Sequence, residues 1–310
     1  MLGYVVRRLV DTIPVLLGIS IVVFGLMHWL PGDPVGAMLY EYAGDPAVAE
    51  QMREQLGLNE PVWKQYMAFL VNALQGDLGN SLITSRPVSA EIAVYLPRTL
   101  ELALSALVLA ALMGVAMGVL SAVHQNSWVD QAVLLFSLIG VSMPIFWSGL
   151  LLIHLFSVQL GWLPVTSGGQ GVAGLILPAI ALALTPAALI ARLTRGSLLE
   201  ILACDYVRTA QAKGLSQRDV LLQHALRNAL IPLVTVFGLQ LGAMLSGVVV
   251  AEIVFTRPGI GTLIITAIKQ RDYLIVQGAV LYLSVLYVLV NLAVDVAYSF
   301  IDPRIRPAST

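Results

Sequence analysis

Six long apolar stretches run through this 310-residue chain and leave it few ways to fold. They cover roughly residues 9–30, 99–123, 131–158, 172–191, 229–253 and 273–301. A membrane-crossing helix needs ~20 predominantly apolar residues. Inside hydrocarbon its backbone polar groups must be satisfied within the segment, so helix is the form such stretches take. The rest of the chain cannot offset this apolar content. Only 11% of residues are charged, against about 25% in ordinary soluble domains, and mean hydropathy is +0.86. The expected class is an all-α polytopic membrane protein with six transmembrane helices. A net charge of -1 gives no sign of a nucleic-acid partner.

Charge placement orients the spans. Arg7 and Arg8 precede the first apolar run, as in a signal peptide, but the run exceeds the ~7–15 residues of a secretory core. It is followed by Leu30-Pro-Gly-Asp-Pro34 instead of a small-residue cleavage site. An uncleaved first helix over 1–30 with its N-terminus inside is expected. Span parity then puts the loop 192–228 and the tail 302–310 in the cytoplasm. Ten of the seventeen Lys and Arg fall on that side, in keeping with positive-inside bias. Arg257, Lys269 and Arg271 on the short fifth loop run against it. Asp11, Glu101, Glu252 and Asp295 lie within about two turns of predicted span ends. There an interfacial or snorkelling carboxylate is favoured over a proton relay.

The outer segment 31–98 reads as a small helical extracytoplasmic insertion. Asp45 can cap a helix with Pro46 at its first position, ending before Gly57. A second helix is expected over 61–75, stopping at Gly76, with Val62, Tyr66, Phe69, Leu70 and Ala73 on one side. Neither is long enough to span, so both are expected on the bundle or at the membrane surface, within reach of an external partner. Inside the spans, Pro14, Pro144, Pro178, Pro186 and Pro232 are tolerable where neighbours satisfy the freed carbonyls, and Pro144 predicts a kink. Gly114 and Gly118, then Gly238, Gly242 and Ser246, form small-residue ridges that permit close helix approach.

One loop has a different character. Residues 192–228 carry Arg192, Arg195, Arg208, Lys213, Arg218 and Arg227. A first helix is predicted over 198–213, breaking at Gly214, and a second over 216–227, with Ser216 as N-cap and Asp219 three residues on. Tyr206-Val-Arg-Thr-Ala210, Ala212-Lys-Gly-Leu215 and His224-Ala-Leu-Arg-Asn-Ala-Leu-Ile-Pro232 resemble the cytoplasmic loop of ATP-binding-cassette importer permeases, in their dipeptide, oligopeptide and nickel branch. The similarity extends along nearly the whole chain: His28-Trp-Leu-Pro-Gly-Asp-Pro34, Leu56-Gly-Leu58, Gly76-Asp-Leu-Gly79, Thr99-Leu-Glu-Leu102, Ser142-Met-Pro144, Glu252-Ile-Val-Phe255, Pro258-Gly-Ile-Gly261, Arg271-Asp-Tyr273, Asn291-Leu-Ala-Val-Asp295 and Asp302-Pro-Arg-Ile305 stand in the family's order. Two departures from the general importer signature occur: Arg208-Thr-Ala210 stands in place of Glu-Ala-Ala, as in the peptide branch, and the spacing from Gly214 to Pro232 is longer. Within the branch, Gln211 stands where Arg is expected.

The resemblance implies a type I importer permease fold, with a transmembrane core over 99–301, in a bacterial inner membrane with both termini cytoplasmic. It implies a second homologous permease as heterodimer partner, two ATPase subunits, an extracytoplasmic substrate-binding protein, and surrounding lipid; the two amphipathic helices of 31–98 are expected to help dock that binding protein. Tyr206, Arg208, Thr209, Ala210, Lys213 and Gly214 would couple to the ATPase. The implied cargo is short peptides, di- or oligopeptide or glutathione-like, with nickel or a metal chelate as the alternative.

Other classes fit less well. No Gly-x4-Gly-Lys-Ser/Thr occurs, so this chain is expected to bind no cofactor and to leave ATP and magnesium to partner subunits. The letters of Gly169-Gln-Gly-Val-Ala-Gly174 match a dinucleotide loop but open a membrane span with no preceding strand. His28, His124, His154 and His224 form no i,i+4 pair, and the single cysteine, Cys204, excludes an internal disulfide, so no metal site is expected. A secondary transporter or channel should carry a charged or unwound site near midspan. An intramembrane enzyme built on Ser148, Ser157 and His154 has no nucleophile motif behind it.

Overall fold

The computed structural model describes residues 2–29, 54 and 59–301. The helix expected after Asp45 lies outside the described residues. Within them regular structure is helical, with an isolated antiparallel bridge between Asn80 and Pro87. Helix α1 spans Leu2–Trp29 and carries Pro14 inside it. Helix α2, Val62–Leu74, starts at Pro61, whose ring supplies a helix-compatible φ of -55°, and ends before Gly76 at φ +80°. Helix α3 covers Val88–Val123 and begins well before the expected span at 99, carrying Pro97 along.

The third apolar stretch does not form one kinked helix. Helix α4, Trp128–Ser142, and helix α5, Ile145–Leu152, with its π-helical continuation Ile153–Gln159, meet at 112°. The cause is local. A residue before proline is pushed out of the α region, and Met143 and Pro144 both take extended ψ values, 124° and 146°. Helix α6, Ala173–Leu202, absorbs Pro178 and Pro186 without a break. Helix α7 is Asp205–Ala212. Segment α8 comprises Gln217–Asp219, a π-helical Val220–Leu226 and Arg227–Ala229. Helices α9, Ile231–Val254, α10, Ile260–Gln270, and α11, Tyr273–Ile301, complete the described chain.

Among the described residues, four helices are long and apolar enough to cross a membrane: α3, α6, and the stretches Val236–Val254 of α9 and Tyr273–Val294 of α11. The bent α4–α5 pair makes a fifth if counted as one span, while the apolar stretch of α1, Val10–Gly25, is shorter.

The chain divides into two compact units. The first comprises residues 1–98 and 258–289. Its core gathers Val88 and Ile92 with Ile260, Leu263 and Ala267 of α10 and Ile275 and Ala279 of α11. Ser81 Oγ donates to the buried Asp272 carboxylate at 2.5 Å, and a Cβ on Gly278 would sit 2.6 Å from Val88. The second comprises residues 99–257 and 290–310. Helix α6 lies at its centre, burying a run of small residues that includes Ala183, Ala187, Ala188 and Ala191. Small residues on neighbouring helices meet this surface. A Cβ on Gly114 of α3 would lie 2.8 Å from the Ala187 carbonyl oxygen, and one on Gly118 2.6 Å from that of Ala191. Gly140 of α4 meets Ala188, so α3 and α4 both approach α6 at backbone distance.

Candidate functional site

The predicted polar loop lies in the second unit and is built on the end of α6. The sequence predicts one helix over 198–213; instead α6 ends at Leu202, and α7 starts at Asp205. The joint is Ala203 and Cys204, the latter extended at φ -70°, ψ 147°. Val207, Ala210 and Val220 are buried together, with Ile201 and Leu202 packed against them. Closing this small core turns α7 away from the line of α6 and leaves its other side in solvent.

The expected coupling residues divide accordingly. Tyr206, Arg208, Thr209 and Lys213 are exposed, whereas Ala210 is buried in the small core. Arg208 is open to its surroundings: its side chain is 73% exposed and stands 3.8 Å from Asp205. Thr209 returns its hydroxyl to the Asp205 carbonyl at 2.9 Å. Gly214 follows the Lys213 C-cap with φ +85°, and its N–H donates to the Gln211 carbonyl at 2.9 Å. Left-handed φ is the conformation that glycine enters without a Cβ penalty, so the residue ends α7 as the sequence predicts.

Ser216 then caps the next segment, accepting from the Asp219 N–H at 3.1 Å and donating to its carboxylate at 2.5 Å. The second helix predicted over 216–227 does form a helical path, but its middle is π-helical. Asn228 Nδ2 donates at 3.0 Å both to the Tyr206 hydroxyl and to the His224 carbonyl, tying α8 to α7. The side of α8 facing α6 buries Ala225 and Ala229 against Leu198, with Ala122 of α3 completing the cluster.

The sequence reading missed the strongest electrostatic feature nearby. Arg195 projects from α6 onto Asp130 at the start of α4, with Nε to Oδ1 and Nη2 to Oδ2 both at 2.7 Å. The same carboxylate accepts from the Ser121 hydroxyl and from the Asn126 N–H at 2.9 Å. Asp130 is buried, with a side chain 3% exposed. In the sequence Arg195 reads only as one of the loop's basic charges. The available signal was Ser127 three residues before an acid at a helix start, a capping spacing opposite the small loop between spans.

A second polar group sits near the other ends of α3 and α9. Thr99 Oγ1 donates to Glu252 at 2.6 Å, and Arg257 Nη2 contacts Glu101 at 2.5 Å. Glu252 is fully buried, so it does not snorkel as expected from its position near a span end; burial beside Thr99 replaces contact with the headgroups. Among the described residues no group of three His, Cys, Asp or Glu could hold a metal ion.

Comparison with known proteins puts this arrangement in context. The family described as "Binding-protein-dependent transport system inner membrane component" matches residues 114–307, and its N-terminal companion matches 1–103. A dipeptide transport system permease protein of Alkalihalophilus pseudofirmus is 45% identical, covering 99% of this chain and 100% of the relative. A di/tripeptide transport system permease protein of Pseudomonas aeruginosa and a glutathione transport system permease protein of Escherichia coli are each 45% identical, with 99% of both chains covered. Among solved structures, an amino acid ABC transporter crystallised with histidines matches with a TM-score of 0.51 at 17% identity, over 70% of this chain and 95% of that one. This last likeness concerns the fold alone.

Proposed function

The chain belongs to the inner-membrane components of binding-protein-dependent transport systems, and from that premise we propose that it is a permease subunit importing short peptides, glutathione among them. The observation that carries the reading is full-length similarity, at 45% identity, to permeases named for dipeptide, di/tripeptide and glutathione transport. Nickel has no such support and falls away as an alternative. As a permease subunit the chain is a non-catalytic transport component.

In this reading the chain crosses the membrane six times, α1 and the bent α4–α5 pair each counting once, with both termini cytoplasmic. It pairs with a second, similar permease to enclose the path, and an external binding protein delivers the peptide. Two separate ATPase subunits bind ATP and magnesium and press on the loop around α7. The features that suit α7 to this role are its exposed Tyr206, Arg208, Thr209 and Lys213 and its anchorage through Val207 and Ala210 to the end of α6.

The test is co-expression of the tagged chain with its neighbouring permease, ATPase and binding-protein genes, followed by purification and reconstitution into liposomes. Copurification of ATPases and ATP-dependent uptake of dipeptide or glutathione, dependent on the binding protein, is the expected result. Uptake driven by an ion gradient with no ATPase present would overturn the reading in favour of a secondary transporter.

A further inference from the structure

Helix α2 is apolar over more of its circumference than its contact with α1 can cover. At 100° per residue, Tyr66, Phe69, Leu70 and Ala73 share one arc and are half-buried. Tyr66 shares a 2.9 Å hydrogen bond with Ser20, and its ring meets Phe24 edge-on at 5.3 Å; Phe69 stacks on Phe24 at 5.9 Å. The adjoining arc carries Trp63, Met67, Val71 and Leu74, exposed by 65, 54, 48 and 88%. Polar groups are confined to the remaining arc, with Lys64, Gln65 and Asn72. A helix meant to stand in water on one side would not put four large apolar groups there.

The level at which α2 meets α1 identifies what covers that stripe. Ser20 and Phe24 precede the end of α1 at Trp29 by nine and five residues, or about 13 and 7 Å along a helix axis. At this level α1 itself exposes Ile21 and Val22, by 56 and 54%. Where α2 touches α1, at Tyr66 and Phe69, exposed apolar surface of both helices therefore adjoins at one level. At 13 residues α2 is too short to span. Trp63, with the Lys64 ammonium 5.9 Å from its ring and 2.9 Å from Glu60, has the amphipathic character found at bilayer interfaces.

We propose that α2 is a membrane-bedded helix: its Trp63–Met67–Val71–Leu74 stripe lies in the acyl chains of the leaflet that holds the C-terminal end of α1. The helix thereby anchors the extracytoplasmic segment to lipid as well as to α1. This rests on the membrane residence of α1 and not on what the protein transports.

Spin-label accessibility tests it in the assembled complex. In a Cys204→Ser background, Met67→Cys and Val71→Cys are labelled with nitroxide and placed in nanodiscs of phosphatidylethanolamine and phosphatidylglycerol. Asn72→Cys serves as the polar-arc control. Dissolved oxygen should relax the labels at 67 and 71 several-fold more effectively than an aqueous nickel chelate, with the order reversed at 72. Adding the binding protein should leave 67 and 71 unchanged. Free access of the chelate to 67 and 71, its loss only on adding the binding protein, or exclusion of both reagents would each overturn the assignment. A readout with an otherwise native stripe supports the labels: brominated acyl chains should quench a fluorescence component that disappears in Trp63→Phe, and failure to quench it counts against the proposal.

Discussion

Arg195 holds Asp130 in a two-pronged grip, with both nitrogen–oxygen distances at 2.7 Å, across 65 residues of sequence. The contact joins the start of α4 to the segment of α6 from which the polar loop departs. Removing one partner of a buried pair leaves an uncompensated charge, and such losses reach about 3–5 kcal/mol. Arg195 is 22% exposed, so solvent screening should bring the loss to the lower end or below. Arg195→Ala should lower the unfolding midpoint of the purified subunit, and Arg195→Lys should restore only part of it, because Lys lacks the planar fork. Asp130→Ala with Arg195→Ala should destabilise less than the sum of the single changes. Strict additivity of the melting shifts would show that the pair contributes no coupling.

The approach of α3 to α6 gives a steric prediction. A Cβ at Gly118 would lie 2.5 Å from Thr194 Cβ and 2.6 Å from the Ala191 carbonyl oxygen. Gly118→Ala should force the helices apart, at a cost of about 1–3 kcal/mol, and Gly118→Leu should abolish folding of the subunit. Expression and melting of the two variants measure this. A melting midpoint for Gly118→Ala at or above that of the parent would contradict the packing.

Gly214 separates backbone strain from crowding. No atom lies within 4 Å of a Cβ placed there, so the penalty of Gly214→Val comes from φ +85° alone, roughly 1–3 kcal/mol. The variant should insert and pair with its neighbour permease, yet lose peptide-stimulated ATP hydrolysis and uptake together. Arg208→Glu should do the same by reversing an exposed charge on α7. Both are read in reconstituted complexes with assembly checked on the same preparation. A well-assembled Gly214→Val complex that transports normally would remove this loop from the coupling path.

Cys204 reports sidedness. It is the single cysteine of the sequence and is exposed, its thiol 3.5 Å from the Glu200 carbonyl. A membrane-impermeant maleimide should fail to label it in spheroplasts and should label it in inside-out vesicles of the subunit alone. Labelling in intact spheroplasts would invert the topology.

Much of this architecture is legible in the sequence because its causes are local. Apolar length marks the helices of the second unit, Pro61 and Gly76 bracket α2, and Gly214 and Ser216 punctuate the polar loop through turn and cap chemistry. What escaped depends on contacts between distant segments. Nothing in Ala203-Cys204 signals a helix break; α6 stops there because Val207 and Ala210 find Val220. Ala210 stands in the motif beside Arg208 and Thr209 yet is buried, because a motif gives order along the chain and not direction around a helix. Asp130 and Glu252 look like ordinary end-of-span acids until Arg195 and Thr99 are seen beside them. At Pro144 the sign of the effect was readable and its size was not, since a bend of 112° needs Met143 to leave the helix as well.

Helix α6 runs unbroken for 30 residues, a rod of about 45 Å, and a two-residue joint connects it to α7. Such a joint transmits little bending moment, whereas the packed core of Val207, Ala210, Ile201 and Leu202 resists separation of the two helices. If α7 takes a load from a partner, as the proposed function has it, that load would meet α6 at its C-terminal tip, close to where Arg195 is pinned to Asp130. In the proposed function α6 would carry that thrust as part of a packed body, since α3 and α4 meet it at Gly118 and Gly140 as well as at the pin.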